Sequence, residues 1–376
     1  MKWLRLALRT LLTLLLLFGL YVAVMLLVGT LSDYQPDDIE PLTPFRESDV
    51  HVHADSTFTA LIWNLGYGGL GRESDFFFDN GRYLTSGGHD VRPSREVVRK
   101  NVEGIIQTIR SHPADYFLLQ EVDRHSRRSF FTNEFELIAD ALPGYAAFFA
   151  TNYRVWHMPL PLLEPWNAYG QVESGLATYL KVQPYESFRY QLPGNFEWPT
   201  RIFQLDRCVS LHRIRTRFGP DLVVMNIHHS AYDDGALKRQ QNDFLRKLAI
   251  GEYERGSFVL IGGDWNQCPP GFPFDKFMPG RTQGYTQLNL PADFMPEGWQ
   301  WVYDPDTPTN RKVRDRYAPD STFVTLIDFY LLSPNLEALE VHTIDLDFEY
   351  SDHQPVWLKA RVREGETERQ SEGETE

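Results

Sequence analysis

The chain has 376 residues, 42% hydrophobic and 23% charged, enough for one large or two ordinary domains and incompatible with wholesale disorder or a collagen-like repeat. Two cysteines exclude a miniprotein stapled by disulfides. Lys and Arg number 37 against 51 Asp and Glu, a net charge of −14, which repels polyanions but admits a small phosphate ester if a divalent metal supplies positive charge.

In chain order, the first feature is a run without charge from Thr10 to Leu31, rich in Leu, Val and Phe. At about 1.5 Å per residue it can cross the roughly 30 Å hydrocarbon core of a bilayer. Lys2, Arg5 and Arg9 precede it; Asp33, Asp37, Asp38 and Glu40 follow. The positive-inside rule makes residues 1–9 a cytoplasmic terminus, 10–31 a single-pass signal anchor in the cell membrane, and all that follows extracytoplasmic. A cleaved signal peptide is the competing reading; it needs a shorter apolar core, about 7–15 residues, and a small-x-small site, for which Val28-Gly29-Thr30 is poor. A buried core helix is the third. Residues 32–56, acidic and broken by Pro36, Pro41 and Pro44, read as a stalk, and His51 and His53, with no third ligand near, as part of a solvated linker. Residues 57–363 form the folded body, and the Glu-rich stretch 364–376 reads as a disordered tail.

Within the body, Phe58–Trp63 reads as a buried strand. Ser94 can cap a helix whose Val98, Val102, Ile105 and Ile109 share one face. Tyr116–Leu119 is a short apolar strand ending at Gln120-Glu121. Residues 202–217 alternate, turn at Gly219-Pro220 and return through Leu222–Asn226. Residues 236–253 form a helix with Leu237, Phe244, Leu245 and Leu248 inward and Lys238, Arg239, Arg246 and Lys247 on a solvated face. Strands follow at 258–261, 326–332, 339–344 and 356–362. Mixed strands and helices with hairpins indicate a layered α/β domain with mixed sheets. Residues 66–93 and 268–322, rich in Gly, Pro and aromatics, fit neither pattern and read as long functional loops.

Polar, metal-capable residues recur where strands end: Asn64, Glu121, His228, Asp264 with Asn266, Asp328, and Asp352-His353. One such residue is a turn or cap residue; six such sites on one rim ask for chemistry. The motifs IWNL (62–65), LLQEVD (118–123), SGLATY (174–179), NIHHS (226–230), GGDWN (262–266), IDFYLLS (327–333) and SDHQPV (351–356), in that order, resemble the endonuclease/exonuclease/phosphatase superfamily of DNase I-like phosphoesterases. The resemblance implies a four-layered α/β sandwich, two mixed β-sheets packed face to face with helices outside. It also implies a metal-dependent hydrolase in which Glu121 is the main metal ligand, with Asn64 and Asp352 beside it. His353 would be the general base, oriented by Asp328. Asp264 and Asn266 would position water and phosphate, and His228 would bind phosphate or supply acid. His229 stands where the family often has an apolar residue; strand alternation lets only one of the pair face the site, and His228 is the choice.

Hard oxygen donors suit Mg²⁺, with Mn²⁺ as a substitute. Substrate is less legible. The charge argues against a stable nucleic-acid complex, and the anchor and aromatic loops lean toward a lipid head group or small phosphodiester. A secreted-type DNA or RNA nuclease is the alternative enzyme, and a catalytically silent surface-binding module the alternative of another class. Three signals stay secondary. Gly66–Gly71 satisfies GxGxxG but does not open a helix, so a loop beside the site is the better reading. Trp156, Pro159, Pro161, Pro165 and Trp166 form an aromatic-Pro loop that either packs or touches lipid or substrate. Tyr153 and Arg154 are weak candidates for facing a phosphate. The sequence leaves open whether Cys208 and Cys268 are bonded, and the oligomeric state.

Overall fold

The computed structural model describes residues 2–194, 196–231, 235–280 and 289–363. The proposed tail at 364–376 lies outside them. The elements are α1 (Lys2–Leu31), β1 (Ile39–Pro41), β2 (Thr57–Asn64), α2 (Arg95–Ser111), β3 (Tyr116–Asp123), α3 (Glu134–Ala141), β4 (Ala146–Met158), β5 (Gly170–Leu180), β6 (Glu186–Gln191), β7 (Cys208–Ile214), β8 (Leu222–His228), α4 (Ala236–Glu254), β9 (Phe258–Asp264), β10 (Gln300–Val302), β11 (Asn310–Arg311), β12 (Val324–Thr325), β13 (Asp328–Leu332), β14 (Leu336–Thr343) and β15 (Val356–Val362).

Seven strands form one mixed sheet in the order β1-β6-β7-β8-β9-β13-β10, and six form another, β14-β15-β2-β3-β5-β4; β11 and β12 make a separate pair. Period-two alternation sends Phe58, Ala60, Ile62, Tyr116 and Leu118 from one sheet, and Val224, Leu260 and Tyr330 from the other, into a shared apolar layer. The opposite faces carry helices. Ile105 and Ile109 of α2 and Phe135 and Ile138 of α3 cover Leu61, Trp63, Phe117 and Leu119, while Leu245 and Ala249 of α4 cover Val223, Met225, Val259 and Ile261. The layers run helix, sheet, sheet, helix, as in the DNase I-like sandwich.

Two parallel pairs, β2 with β3 and β8 with β9, meet the antiparallel β13 and β15 so that the polar strand ends fall together. Asn64 lies opposite Gln120, His228 opposite Asp264, and Asp264 opposite Asp328. A buried amide lattice ties the sheets there: Gln120 Nε2 donates to Asn226 Oδ1 (2.8 Å), and Asn226 Nδ2 donates to the carbonyls of Leu119 and Ala177. Gly262 permits the close approach, since a Cβ there would lie 2.7 Å from Ile62 and 2.8 Å from Tyr330.

Several expectations change. Residues 32–56 are no free stalk: β1 pairs with β6, Arg46 bridges Ala147, and Ser48 Oγ donates to the Lys181 carbonyl. His53 is not solvated either, being buried with Nδ1 3.1 Å from the Tyr116 hydroxyl. The strand begins at Cys208 rather than 202 and is buried on both faces instead of alternating, and Thr200–Phe203 forms a 3-10 turn. Lys238 leaves the solvated face of α4, is buried, and donates to the Asn266 carbonyl (3.2 Å). Ser94 does cap α2, accepting from Val97 N–H (3.3 Å). Cys208 and Cys268 are both buried, unbonded thiols.

Candidate active site

His353 precedes β15, where the chain turns into the rim. Its backbone carbonyl accepts from Trp63 Nε1 (2.9 Å) and its N–H donates to Ser351 Oγ (3.1 Å), so the ring has little freedom. Nδ1 lies 2.8 Å from Asp328 Oδ2, and Nε2 lies 3.8 Å from Asp264 Oδ2 and 3.0 Å from Asn310 Nδ2. Asp328 is held in turn by its own N–H on Thr309 Oγ1 (3.1 Å). Burial opposes a charged ring, yet Asp328, Asp264 and Asp352 outweigh it and raise the His353 pKa to about 10.

Asp264 accepts from Asn266 N–H (2.8 Å) and Asn64 Nδ2 (3.0 Å), with His228 Nε2 3.4 Å away. Burial and the nearby Asp328 raise its carboxyl to about 6. Burial also drives the His228 pKa well below its usual value, so this ring is neutral. Nε2 of His228 is 3.9 Å from Glu121, whereas the His229 ring turns the other way onto Trp265. Asn266 sits at φ 50° and donates through Nδ2 to the His229 carbonyl (2.9 Å).

Glu121 does not end its strand. β3 continues to Asp123, and the pairing with β5 breaks between Leu119 and Val122. Glu121 sits at φ 51°, a left-handed backbone, and the irregularity aims its half-buried carboxylate into the rim. Asn64 Nδ2 donates to Glu121 Oε1 (3.3 Å), while Asn64 Oδ1 accepts from Gly66 N–H (3.0 Å). The amide nitrogen of Asn64 therefore faces the carboxylates of Glu121 and Asp264. Gly66, at φ +51°, leaves room for Asp352: a Cβ would stand 2.7 Å from Asp352 Oδ1. Burial, with Glu121 close by, raises the Asp352 carboxyl to about 7.

Asp264, Asp328 and His353 offer ligand atoms within 4.8 Å of one another. Two of them are already hydrogen-bonded to each other, so this trio reads as a proton-handling group. Glu121 and Asp352 add two oxygen donors to the same rim, one half-buried and one buried, and hard oxygen donors of this kind suit a divalent cation. Tyr153 and Arg154 do not join the cluster. The Tyr153 hydroxyl donates to the Phe203 carbonyl (3.3 Å), and Arg154 lies over the Tyr34 ring.

Residues the sequence did not single out complete the site. Thr309, Asn310 and Arg311 come from the unassigned 268–322 stretch. Arg311 N–H donates to the Asp352 carbonyl (2.9 Å) and its guanidinium to the carbonyls of Leu70 and Gly71, locking the loop after Asn64. Ser351 stood inside SDHQPV as a hydroxyl flanking two candidates, which was the available signal.

In fold the chain is similar to an endonuclease/exonuclease/phosphatase from Beutenbergia cavernae DSM 12333, at 17% identity over 82% of this chain and 72% of that one, TM-score 0.53. It is similar also to one from Bacteroides vulgatus (14%, 82% and 100%, 0.52) and to ANGEL2, a 2',3'-cyclic phosphatase (16%, 87% and 99%, 0.50). No curated protein matches in sequence. The model of the Endonuclease/Exonuclease/phosphatase family matches residues 63–353, from the tryptophan that holds the His353 carbonyl to His353 itself, and the chain belongs to that family.

Proposed function

We propose that the protein is a membrane-anchored, extracytoplasmic, Mg²⁺-dependent phosphoesterase acting on a lipid head group or small phosphodiester. The observation that carries this is the meeting of an oxygen-donor pair, Glu121 and Asp352, with the Asp328–His353 pair on one rim. A divalent cation held by Glu121 and Asp352 would neutralise charge building on the phosphoryl oxygens. His353 would take the proton of the attacking water at Nε2, with Nδ1–H kept on Asp328. It must first lose its own proton, which three carboxylates resist and a bound cation favours. Asp264 and Asn266 hold the water and phosphate in line. His228, being neutral, contributes an N–H hydrogen bond rather than a proton. Anchoring through α1 with the N-terminus cytoplasmic is part of the same reading; α1 is long and apolar enough to cross a membrane.

The test is hydrolysis of a chromogenic phosphodiester and a phosphomonoester by the full chain, with and without Mg²⁺, followed by DNA against phospholipid head groups. Metal-independent or absent turnover on all of them would sink the proposal. Preference for DNA would return the nuclease reading, against the charge of −14.

A further inference from the structure

The height at which the domain rides on the bilayer follows from where α1 is fastened. This rests on the reading of α1 as an anchor. Arg9 is the last charge before the apolar run, and from Thr10 to Gly29 the helix rises about 30 Å, the thickness of the hydrocarbon core. Met25 and Gly29, at the outer end of that span, are the helix residues buried against the domain. A Cβ at Gly29 would stand 2.9 Å from Ile202 Cδ1. Just beyond, Trp198 Nε1 donates to Thr30 Oγ1 (3.0 Å) and Arg201 pairs with Asp33 (3.4 Å). A domain gripped at the outer end of the span has the gripped face at the bilayer surface.

Large apolar side chains stand exposed on the segments around that grip. Leu205 packs with Tyr153, Val155 and Phe78 of one cluster, and the Phe78 ring meets Tyr83 at 5.1 Å. Backbone bonds from Leu162 and Leu163 to the Tyr83 and Leu84 carbonyls join this loop to the aromatic-Pro loop. Outward from it stand Tyr83, Leu84, Trp156, Leu163, Trp166 and Trp198, with Trp166 74% exposed and Leu84 59%. Large apolar side chains exposed to water on neighbouring loops mark a contact surface, and Trp and Tyr belong at the membrane interface.

We infer that this face is a membrane seat: it lies in the head-group layer of the bilayer that α1 spans, beside the site opening. The loop that carries Tyr83 and Leu84 is the one that leaves Asn64, and its Tyr67 and Phe76 both touch the Tyr169 ring. The seat thus brings the rim to esters at the bilayer surface.

Cys208 and Cys268 are buried, so single introduced cysteines can carry an environment-sensitive fluorophore. The full chain, labelled at Leu14→Cys, Leu163→Cys, Trp166→Cys or Leu339→Cys, is reconstituted in phosphatidylcholine vesicles. Leu339 is exposed on β14, at the sheet edge opposite β4. The expected result is blue-shifted emission, quenched by a lipid-borne quencher, at 14, 163 and 166 but not at 339. Emission at 163 and 166 as aqueous as at 339, with 14 still apolar, overturns the seat and spares the anchor. Aqueous emission at 14 removes the anchor, and the seat with it. A blue shift that the lipid quencher does not reach places the face against protein and also overturns the proposal.

Discussion

The two sheets deliver their polar residues to the rim by different means. The seven-stranded sheet uses plain register: His228, Asp264 and Asp328 are rungs of adjacent strands, all essentially fully buried. The six-stranded sheet uses irregularity: Glu121 arrives through a break in pairing at φ 51°, and Asp352 fits only because Gly66 lacks a side chain. Regular register gives a rigid group suited to moving a proton. A bent backbone gives an accessible, tuneable carboxylate suited to holding an ion. Breaking each side separately should have separable consequences.

The largest effect belongs to His353, which leads into β15 but is held by Asp328 of the regular side. His353→Ala should lower kcat/KM on the order of 10²–10⁴-fold, the usual worth of a positioned base, and remove the ascending limb of the pH–rate profile. Asp328→Asn should cost less and move that limb to lower pH, since Asp328 is the chief group raising the imidazole. Profiles of both variants at saturating Mg²⁺ decide this; a wild-type limb in His353→Ala would assign the water to another base.

The irregular side should fail differently. Glu121→Gln should raise the Mg²⁺ concentration for half-activation by on the order of 10–10²-fold, as loss of metal-site partners does, and leave folding intact. Glu121→Gly goes further: a non-glycine residue in this backbone costs about 1 kcal/mol, so the glycine variant should melt no lower than wild type while losing activity. A clear fall in Tm would mean that Glu121 supports the fold, not the ion.

This contrast also governs what the sequence could convey. Register-placed residues are legible: NIHHS and GGDWN carry the ends of β8 and β9, and Ser94 with its apolar stripe marks α2. What was hidden depends on contacts between distant segments. His53 looks solvated until Tyr116 closes over it, and Lys238 looks like surface charge until the Asn266 carbonyl comes into range. Thr309, Asn310 and Arg311 lie in a run with no period, because two-residue strands such as β11 carry none. The amide of Asn64 was placed at the metal by resemblance; only the Gly66 N–H, pinning its oxygen, settles which atom faces the carboxylates.

A third prediction compares the sides through pH. In metal-free protein, Asp264 and Asp352 have folded pKa values of about 6 and about 7, above the 3.8 of a free carboxyl, and His353 about 10, above 6.5. In each case the folded state binds more protons than the unfolded state between the two values. Their contribution to stability is therefore present at low pH and lost as pH rises, across about pH 4–7 for the carboxyls and 6.5–10 for His353. Tm in a chelator should carry this downward slope from about pH 6 to about pH 9. Mg²⁺ should reverse it, raising Tm most where the carboxyls are ionised. A Mg²⁺ effect that is independent of pH would detach the ion from Asp352.

The smallest expected effect lies where the two sides touch. Asn310 Nδ2 is 3.4 Å from the Asp352 carbonyl, an acceptor that fixes which way the amide points, and 3.0 Å from His353 Nε2. An N–H facing Nε2 favours the neutral ring with its proton on Nδ1, the tautomer whose Nε2 accepts from water once the water replaces the amide. The carboxylates around His353 favour the opposite, so Asn310 works against their field. Asn310→Ala should lower kcat/KM by about threefold to tenfold, one hydrogen bond's worth, and shift the ascending limb to higher pH. Asn310→Asp should shift it further, because a carboxylate at this position would accept from Nε2–H and stabilise the imidazolium. Amide exchange at fixed size isolates the effect from packing. If Asn310→Asp leaves the limb in place, the amide does not govern the ring, and the proton on His353 answers to Asp328 alone.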